Sequence, residues 1–489
     1  MLTFDKQRPH TLRFEAAGCA IAGWQLAVEA NGTLLRSPDA QVATTGGEPL
    51  AFTLAFPAAG LAWHVRCQMA TGEGRVVIES ELENRSDRAI RLGKVHLLDT
   101  GEPVGLGEPC AETVCLPLSG EIGNRPVWRL ADAECPRASK IKTQFFNRAA
   151  GKAMQVGFLT FQRANTEVEH AYDAKAGITA LRAWCDFAGW ELAPGQSTPT
   201  ETFTLAVGDD PHAQLAAWAD LAAARCSPRR WEDAPIGWIG WAWVDPFNVE
   251  RYQDVLLRNC QAIRRRLEGF GVNYVWLSIG NLARGTPGDW LNWNAELFPD
   301  GPQHLAQRLR EMGFRWGLWC GAFWMCSMLD DKVEEFRDAL LENPDGSPMV
   351  VRPEWQFGVA GEMPKAERPC MYALDPSHPK SLALLKEVFE AYRRWGVRYY
   401  MLDFLHAASG DIGSHPYTDH HDKSLVAGPE AYHNALRVIR QAAGDDTYFL
   451  SSTGPTVHNA GIMDAIRTGN DFGEAARSTP TPTSIPPRS

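Results

Sequence analysis

Several features that would assign a function at once are missing from this sequence of 489 residues. Residues 1–9 lack a positively charged segment followed by an apolar one, so no secretory signal is expected there. No apolar run is long enough to span a bilayer. These two absences favour a cytoplasmic protein that does not act on membranes.

The charge pattern excludes another class of partner. The formal net charge is -11, and the basic residues form no run. A protein with this balance repels phosphate groups, so we expect neither nucleic acid nor an anionic membrane surface as a partner.

Three motifs of common enzyme classes are also absent. No glycine-rich phosphate-binding fingerprint follows a strand pattern, which argues against a dinucleotide fold. No G-x-S-x-G elbow surrounds the serine pair at residues 451–452. The 11 cysteines are scattered, and pairs such as Cys320 and Cys326 are spaced too widely for a CxxC motif. We therefore expect reduced, mostly buried thiols rather than a zinc site or a disulfide framework.

The residues that are present indicate a large globular protein. Hydrophobic residues make up 45% of the chain and charged residues 22%. A chain of this length is too long for one core, so two or more domains are expected. The 18 tryptophans are unusual. Some of them are expected in the core, but indole faces are also flat apolar platforms on which the C–H surfaces of sugars bind.

The N-terminal part is predicted to be all β. Residues 1–208 contain short runs that alternate apolar and polar, such as the run from residue 75 to residue 82, and turn signals such as Asn31-Gly32 separate them. This pattern predicts an antiparallel β-sandwich. Residues 209–234 are predicted as a helical linker, because a helix that begins at Asp210-Pro precedes a segment rich in proline.

From residue 235 to residue 473 strand and helix patterns alternate, which predicts a parallel sheet of the (β/α)8 TIM-barrel type. The predicted strands are residues 236–243, 274–279, 315–319, 399–404, 448–452 and 465–468, and the predicted helices are residues 251–267, 303–312, 381–395 and 430–442.

A closed barrel needs eight strands, and the pattern provides only six. The barrel is therefore expected to be incomplete, with about six βα units, as if the sequence were cut off before the last two. Residues 474–489 are rich in proline, threonine and serine, so a disordered tail is expected.

Two acids follow strand patterns at the edge where barrel enzymes carry their chemistry. Asp403 ends the fourth predicted strand, and Asp471 follows the sixth. Retaining glycosidases need two carboxyls about 5–5.5 Å apart, one as nucleophile and one as general acid/base. Arg467 is suited to hold a cleft acid or a sugar hydroxyl. A helix-capping role for Asp403 and a turn role for Asp471 are the structural alternatives.

Tryptophans near two strand ends are candidate substrate contacts. Trp238 and Trp241, with Trp243, are spaced so that the three cannot share one face of a strand, and at least one must face the barrel interior. The loop after the second strand holds Asp289 and Trp290, which suit a substrate-binding wall; simple surface packing explains that loop equally well.

Together these segments resemble the family 36 glycoside hydrolases, the melibiase-type α-galactosidases. The resemblance covers residues 234–473 and rests on ordered segments: Pro235-Ile-Gly-Trp, Gly288-Asp-Trp-Leu, Phe298-Pro-Asp-Gly, Gly317-Leu-Trp319, Leu374-Asp-Pro-Ser-His-Pro379, Tyr400-Met-Leu-Asp-Phe404 and Gly461-Ile-Met-Asp-Ala-Ile-Arg467 with Asp471.

The resemblance implies an O-glycosyl hydrolase that cleaves terminal α-linked sugars without a metal or other cofactor. It implies that Asp403 is the nucleophile, that Asp471 is the general acid/base, and that Arg467 lines the subsite for the cleaved sugar. Trp319, inside a matching segment, is a further candidate substrate contact.

Four residues depart from the family pattern. Ser278-Ile279 stand where the family has an aspartate pair, Met401 where it has a lysine, and Ser452 where it tends to have a cysteine. Each lost charged hydrogen bond contributes on the order of 1.5–3 kcal/mol. An altered preference for the sugar is therefore expected.

Two other functions fit part of the pattern and rank below the glycosidase. The incomplete barrel and the lost sugar contacts fit a non-catalytic carbohydrate-binding relative. A metal-dependent barrel hydrolase would use the histidines at 415, 420 and 421 with Asp419 and Asp422, although adjacent histidines on a loop are poor ligand geometry, and no metal is expected. The sequence leaves open which sugar is cleaved and whether the chain forms a homo-oligomer.

Overall fold

The computed structural model describes residues 1–5, 8, 10–44, 49–70, 74–118, 127–132, 137–231, 234–240, 251–410, 416–454 and 457–467. The predicted tail at residues 474–489 lies outside these ranges. Among the described residues, no helix is long and apolar enough to cross a membrane.

Residues 2–208 form antiparallel sheets, as the alternating pattern predicts. The strands are β1 Leu2–Phe4, β2 Leu12–Ala16, β3 Cys19–Ala30, β4 Thr33–Arg36, β5 Gln41–Thr44, β6 Leu50–Phe56, β7 Leu61–Met69, β8 Arg75–Asn84, β9 Ile90–Thr100, β10 Thr113–Pro117, β11 Trp128–Arg129, β12 Arg137–Lys140, β13 Lys142–Asn147, β14 Lys152–Phe158, β15 Asn165–Asp173, β16 Gly177–Leu192, β17 Ser197–Pro199 and β18 Phe203–Gly208. The helical segments described in this part are short 3-10 turns.

These strands make two sheets that share one hydrophobic core. One has the order β1-β2-β3-β9-β16-β15-β12 with β4 beside β3, and the other has the order β11-β10-β13-β14-β18-β8-β7-β6-β5 with β17 beside β8. Trp24 of the first sheet packs edge-on against Phe203 of the second, with 5.8 Å between ring centroids. The apolar face of each sheet is thereby removed from water.

Helix α1 (Pro211–Cys226) follows the sheets where the sequence predicts it. The Asp210 carboxylate accepts hydrogen bonds from the backbone N–H groups of His212 and Ala213, and Pro211 occupies the first turn. An Asp-Pro pair therefore both caps and starts the helix.

The remaining elements form a curled, six-stranded parallel half-barrel, and the prediction of a parallel sheet is confirmed. The elements in chain order are β19 Gly237–Ile239, α2 Tyr252–Leu267, β20 Tyr274–Leu277, α3 Gly301–Glu311, β21 Arg315–Cys320, β22 Trp324–Cys326, α4 Asp330–Glu335, β23 Val350–Arg352, α5 Val359–Glu362, β24 Met371–Ala373, α6 Pro379–Trp395, β25 Val397–Leu402, α7 His406–Ser409, α8 Pro429–Ala443, β26 Tyr448–Ser451 and β27 Ala465–Ile466. The parallel order is β19-β20-β21-β25-β26-β27, which is the chain order.

Alternate residues of each strand face the inside of the half-barrel. Tyr274, Tyr399 and Tyr448 are buried together there, and the rings of Tyr399 and Tyr448 stack 5.6 Å apart. Gly317 of β21 lies between Trp276 and Tyr399: a Cβ atom on Gly317 would meet a Tyr399 ring carbon at 2.8 Å and the Trp276 Cβ at 2.9 Å. Only glycine therefore fits at this position.

A small antiparallel sheet, order β22-β24-β23, is inserted between β21 and α6 and was not predicted. Its strands are only three residues long. Such runs are too short to show a period of two in the sequence. This insertion supplies one wall of the mouth of the half-barrel.

Candidate functional site

The carboxyl ends of the parallel strands bring five of the predicted residues to one edge of the sheet. Ser278, Asp403, Ser452 and Arg467 each follow directly the last residue of a parallel strand, and Trp319 is the second-last residue of β21. In α/β barrels this edge is where substrates bind.

The carboxylate of Asp403 is held at both oxygens. The indole Nε1 of Trp319 donates to Oδ2 at 2.9 Å, and the backbone N–H of Phe404 donates to Oδ1 at 2.9 Å. The Asp403 N–H donates to the Cys320 carbonyl at 2.9 Å, which fixes the backbone to β21. Asp403 is 8% exposed. These donors satisfy a largely buried carboxylate, which would otherwise be costly to remove from water.

Aromatic rings surround this carboxylate. Trp319 stacks on Trp355 at 6.2 Å, and Trp290 packs against Trp319 at 6.0 Å. Phe404 stacks on Trp324 at 3.9 Å with an interplanar angle of 15°. Trp324 and Trp355 come from the inserted segment and were missed, because nothing local in the sequence indicates that a segment 36 residues after Trp319 folds back onto it.

Two residues at the edge have left-handed backbone conformations. Ile279 has φ +62° and Phe404 has φ +53°, and each lies within two residues of the end of its strand. This region disfavours non-glycine residues and is especially unusual for a β-branched side chain such as isoleucine. Backbone strain of this kind concentrates at functional sites. The family pattern has an aspartate at this position, and aspartate adopts the left-handed conformation more readily than the isoleucine found here.

Several buried polar groups near the edge have no hydrogen-bond partner within the described ranges. They are both amide atoms of Asn281, Nε1 of Trp290, Nε1 of Trp324 and Oγ of Ser452. Asn281 is 1% exposed and lies on the loop after β20. Buried amides are nearly always bonded, so such groups point to a missing water or ligand. Sequence reasoning missed Asn281; its position three residues after Ser278 was the available signal.

Arg467 and Met401, two further predicted substrate contacts, lie in different environments: Arg467 makes polar contacts and Met401 apolar ones. The Arg467 backbone N–H donates to the Ser451 carbonyl at 2.9 Å, and its Nη2 donates to Thr453 Oγ1 at 3.4 Å. Met401 is half-buried on the inner face, between its register neighbours Trp319 and Leu450. Its thioether offers a sugar little of the hydrogen bonding that a lysine would.

The remaining predicted site residues either make contacts within the protein or lie outside the described ranges. Asp289 accepts from Asn292 Nδ2 at 2.8 Å and lies 3.6 Å from Lys332 Nζ, so its carboxylate is already engaged within the loop. Trp238 is half-buried and packs against the core of the half-barrel. Trp241 and Asp471 lie outside the described residues.

The histidine-rich loop is organised by hydrogen bonds of its own. His420 Nε2 bonds the Leu425 carbonyl at 2.9 Å, and Asp419 pairs with Lys423. Asp422 accepts from Ser424 Oγ at 2.7 Å. The third histidine, at position 415, is outside the described ranges, and within them no group of three or more His, Cys, Asp or Glu side chains is placed to hold a metal ion.

The Leu374-Asp-Pro-Ser-His-Pro segment fixes this loop. Asp375 Oδ2 accepts from the backbone N–H of His421 at 2.7 Å, and Ser377 Oγ accepts from the N–H of Asp422 at 3.0 Å. The segment thus ties the loop after the Asp403 strand to the start of α6.

Within the described part of the chain, ten cysteines are free thiols and eight of these are buried.

Comparison with known proteins gives one clear result, a shared fold. No family model matches the sequence. The structure resembles an α-galactosidase from Thermus thermophilus solved with p-nitrophenyl α-D-galactopyranoside (TM-score 0.55, 20% identity, 92% of this chain and 75% of that chain). It also resembles a family 36 α-galactosidase from Geobacillus stearothermophilus solved with 1-deoxygalactonojirimycin (TM-score 0.63, 15% identity, 92% and 64%). A third similar structure is an α-galactosidase from Lactobacillus brevis (TM-score 0.64, 15% identity, 96% and 65%).

The described chain therefore has the fold of the family 36 α-galactosidases, as the sequence resemblance implied. It spans 64–75% of the length of these three proteins.

Proposed function

We propose that this chain is a retaining α-glycosidase that hydrolyses terminal α-linked sugars, with Asp403 as nucleophile and Asp471 as general acid/base. The observation that carries the proposal is the carboxylate of Asp403, which is held at both oxygens at the carboxyl edge of a parallel half-barrel. A nucleophile must be oriented before it reacts, and two fixed N–H donors provide that orientation.

The proposed reaction has two displacements. In the first, an oxygen of Asp403 bonds to the anomeric carbon while Asp471 gives its proton to the departing glycosidic oxygen. In the second, Asp471 removes a proton from water, the water oxygen bonds to the anomeric carbon, and the bond to Asp403 breaks. Two inversions give net retention, and no metal or organic cofactor takes part.

The domain organisation is part of the same proposal. The two antiparallel sheets would form a β-sandwich domain over residues 1–208, joined through residues 209–234 to a (β/α) barrel domain over residues 235–473. The shared core of the two sheets and the parallel strand order support these boundaries.

The preferred sugar is proposed to differ from unmodified galactose. The ligands of two similar structures are galactose derivatives by name. In this chain Ser278, Ile279 and Met401 replace three charged groups of the family pattern. A galactoside panel is therefore the starting point for assays, and sugars with other substituents are the expected better substrates.

The test is the pair of variants Asp403→Ala and Asp471→Ala, assayed on aryl α-glycosides with and without azide. Both should lose nearly all turnover. Azide should restore cleavage in both, giving a β-glycosyl azide with Asp403→Ala, because azide attacks from the vacated nucleophile side, and an α-glycosyl azide with Asp471→Ala.

A matched control is Asp331→Ala, an exposed acid of α4. It should keep wild-type rates. Normal turnover by Asp403→Ala would refute the proposed nucleophile, and sugar binding without any turnover by the unmodified chain would favour a non-catalytic carbohydrate-binding protein instead.

A further inference from the structure

The inserted sheet places an arginine beside the residue that follows Asp403. Arg352 ends β23, and its guanidinium carbon lies 5.5 Å from the ring centroid of Phe404 and 5.9 Å from that of Trp324. These two rings form the tightest aromatic stack at the mouth. Phe404 in turn donates its backbone N–H to Asp403. Arg352 therefore contacts the residue that directly follows the proposed nucleophile in the chain.

The local contacts hold Arg352 in position but leave part of its hydrogen-bonding capacity unused. Strand β23 pairs with β24, and Arg352 Nε donates to the Glu354 carbonyl at 2.9 Å. The stacked rings take the face of the guanidinium. Its Nη1 and Nη2 groups have no hydrogen-bond partner in the part of the chain that the structure describes. The outer fork of this half-buried guanidinium, which lies beside Phe404, is thus available to a ligand.

The carboxylate nearest in sequence does not neutralise Arg352. Glu354 Oε1 lies 2.6 Å from Arg368 Nη1, and its Oε2 lies 3.8 Å from Lys365 Nζ. Within the described ranges, no carboxylate lies within 4.0 Å of a nitrogen of Arg352. A half-buried cation without a counter-ion is unfavourable, and the aromatic faces offset only part of that cost.

Among the described residues, the charges at the mouth differ from those expected for a site that grips a neutral sugar with acids. Arg352 and Arg467 are positive, and Asp403 is the one negative group among the described residues at the strand ends. The two positions at which the family pattern has acids hold Ser278 and Ile279.

We propose that Arg352 binds an anionic substituent on the sugar ring, either the carboxylate of a uronic acid or a sulfate ester. This inference rests on the proposed glycosidase function. A guanidinium fork matches the spacing of two oxygens of a carboxylate or a sulfate, and partial burial strengthens the charged hydrogen bonds. The same charge reduces the repulsion that an acidic sugar would meet beside Asp403.

The experiment compares kcat/KM for aryl α-glycosides that are neutral, that are uronic acids, and that carry a 6-sulfate, in galacto and gluco configurations. The unmodified chain should prefer one acidic class over its neutral counterpart by about tenfold or more, since a charged hydrogen bond is worth about that much. Which acidic class is preferred identifies the substituent.

Variants then test the assignment to Arg352. Arg352→Gln should lower kcat/KM for the preferred acidic substrate by about 10- to 100-fold and reduce the acidic-to-neutral preference accordingly. Arg352→Lys keeps the charge but loses the fork, and it should retain an intermediate preference. Arg394→Gln, an exposed arginine on the outer face of α6, should keep the wild-type preference.

The results distinguish a failure of anion binding by Arg352 from a failure of the proposed glycosidase function. Preference for neutral substrates, or an acidic preference that Arg352→Gln leaves unchanged, would overturn the role of Arg352 while leaving the glycosidase intact. If no substrate is turned over, the proposed glycosidase function fails. Anion binding by Arg352 is then tested by calorimetric titration with galacturonate, glucuronate and galactose 6-sulfate. Binding that is lost in Arg352→Gln supports it, and absence of binding or binding unaffected by that substitution contradicts it.

Discussion

The indole Nε1 of Trp319 donates a hydrogen bond to Oδ2 of Asp403 across two adjacent parallel strands, at 2.9 Å. The same indole stacks on Trp355, so its ring plane is fixed by packing. A carboxylate that is oriented by a rigid donor needs little reorganisation when it attacks. Trp319 is thus a positioning residue for the proposed nucleophile.

Trp319→Phe should lower kcat for an aryl α-glycoside about tenfold, because it removes one charged hydrogen bond while the ring that packs on Trp355 remains. KM should change little, and the melting temperature should fall, because one oxygen of a largely buried carboxylate loses its donor at a cost of about 1–3 kcal/mol. Steady-state kinetics and a thermal melt check both points. Trp395→Phe, at the end of α6, is the control and should leave kcat at the wild-type value; an equal loss of kcat in both variants would speak against a positioning role.

Asn281→Leu tests whether the buried side-chain amide of Asn281 contacts a ligand or stabilises the fold. Neither amide atom of Asn281 is bonded to a described residue, so the leucine variant should not fall in stability by more than about 1 kcal/mol. If the amide contacts the sugar, KM should rise about tenfold, the value of one or two neutral hydrogen bonds. Urea unfolding and initial-rate kinetics provide the two readouts.

Asn459→Leu is the matched control for that experiment. Asn459 is fully buried, its Oδ1 accepts from Tyr432 at 2.9 Å, and its Nδ2 donates to Ser451 Oγ at 3.0 Å. Its replacement removes both of these hydrogen bonds between buried groups and should cost about 2–4 kcal/mol. Comparable losses of stability in the two variants would show that Asn281 is bonded in solution and is not held for a ligand.

The strand order of the half-barrel could be predicted from the sequence, because each helix is followed by a glycine and then by an apolar run. Gly271, Gly313, Gly396 and Gly444 all have positive φ at these junctions. Asp403 could be predicted for a related reason, since a lone acid within an apolar run must lie where the strand ends.

The walls of the site could not be predicted, because long-range packing creates them. Trp355 reaches Trp319, and Arg352 reaches Phe404, through an insertion whose strands leave no periodic signal. The role of Asp471 stays a prediction, since that residue lies outside the described ranges.

Gly317→Ala should destabilise the half-barrel. The new Cβ would lie 2.8–2.9 Å from atoms of Tyr399 and Trp276 on the two flanking strands, which is closer than van der Waals contact allows. Overpacking of this kind costs about 1–3 kcal/mol. Gly269→Ala is the control, because an added methyl group there would have no neighbouring atom within 4 Å and the φ of Gly269 is not positive; it should be neutral or slightly stabilising. A wild-type midpoint of urea unfolding for Gly317→Ala would show that these strands can separate.

Asp464→Asn should be the most damaging of these substitutions to the edge strand β27, which begins one residue later. The side chain of Asp464 is fully buried; its Oδ2 lies 2.6 Å from Arg440 Nη2, its Oδ1 lies 2.8 Å from Arg229 Nε, and its Oδ2 accepts the Phe449 N–H at 2.8 Å. Removing the negative charge leaves the largely buried Arg440 without its counter-ion, at a cost of about 3–5 kcal/mol.

Asp445→Asn removes the solvent-exposed partner of Arg229 and is the control for Asp464→Asn. Asp445 is 87% exposed and lies 3.0 Å from Arg229 Nη1, so its replacement should change the free energy of unfolding by less than about 1 kcal/mol. Because Arg467 follows β27 directly, Asp464→Asn should also lower activity at temperatures where the chain remains folded, and Asp445→Asn should not. Equal midpoints of urea unfolding for the two variants would mean that β27 is held by its pairing with β26 and not by the buried ion pair.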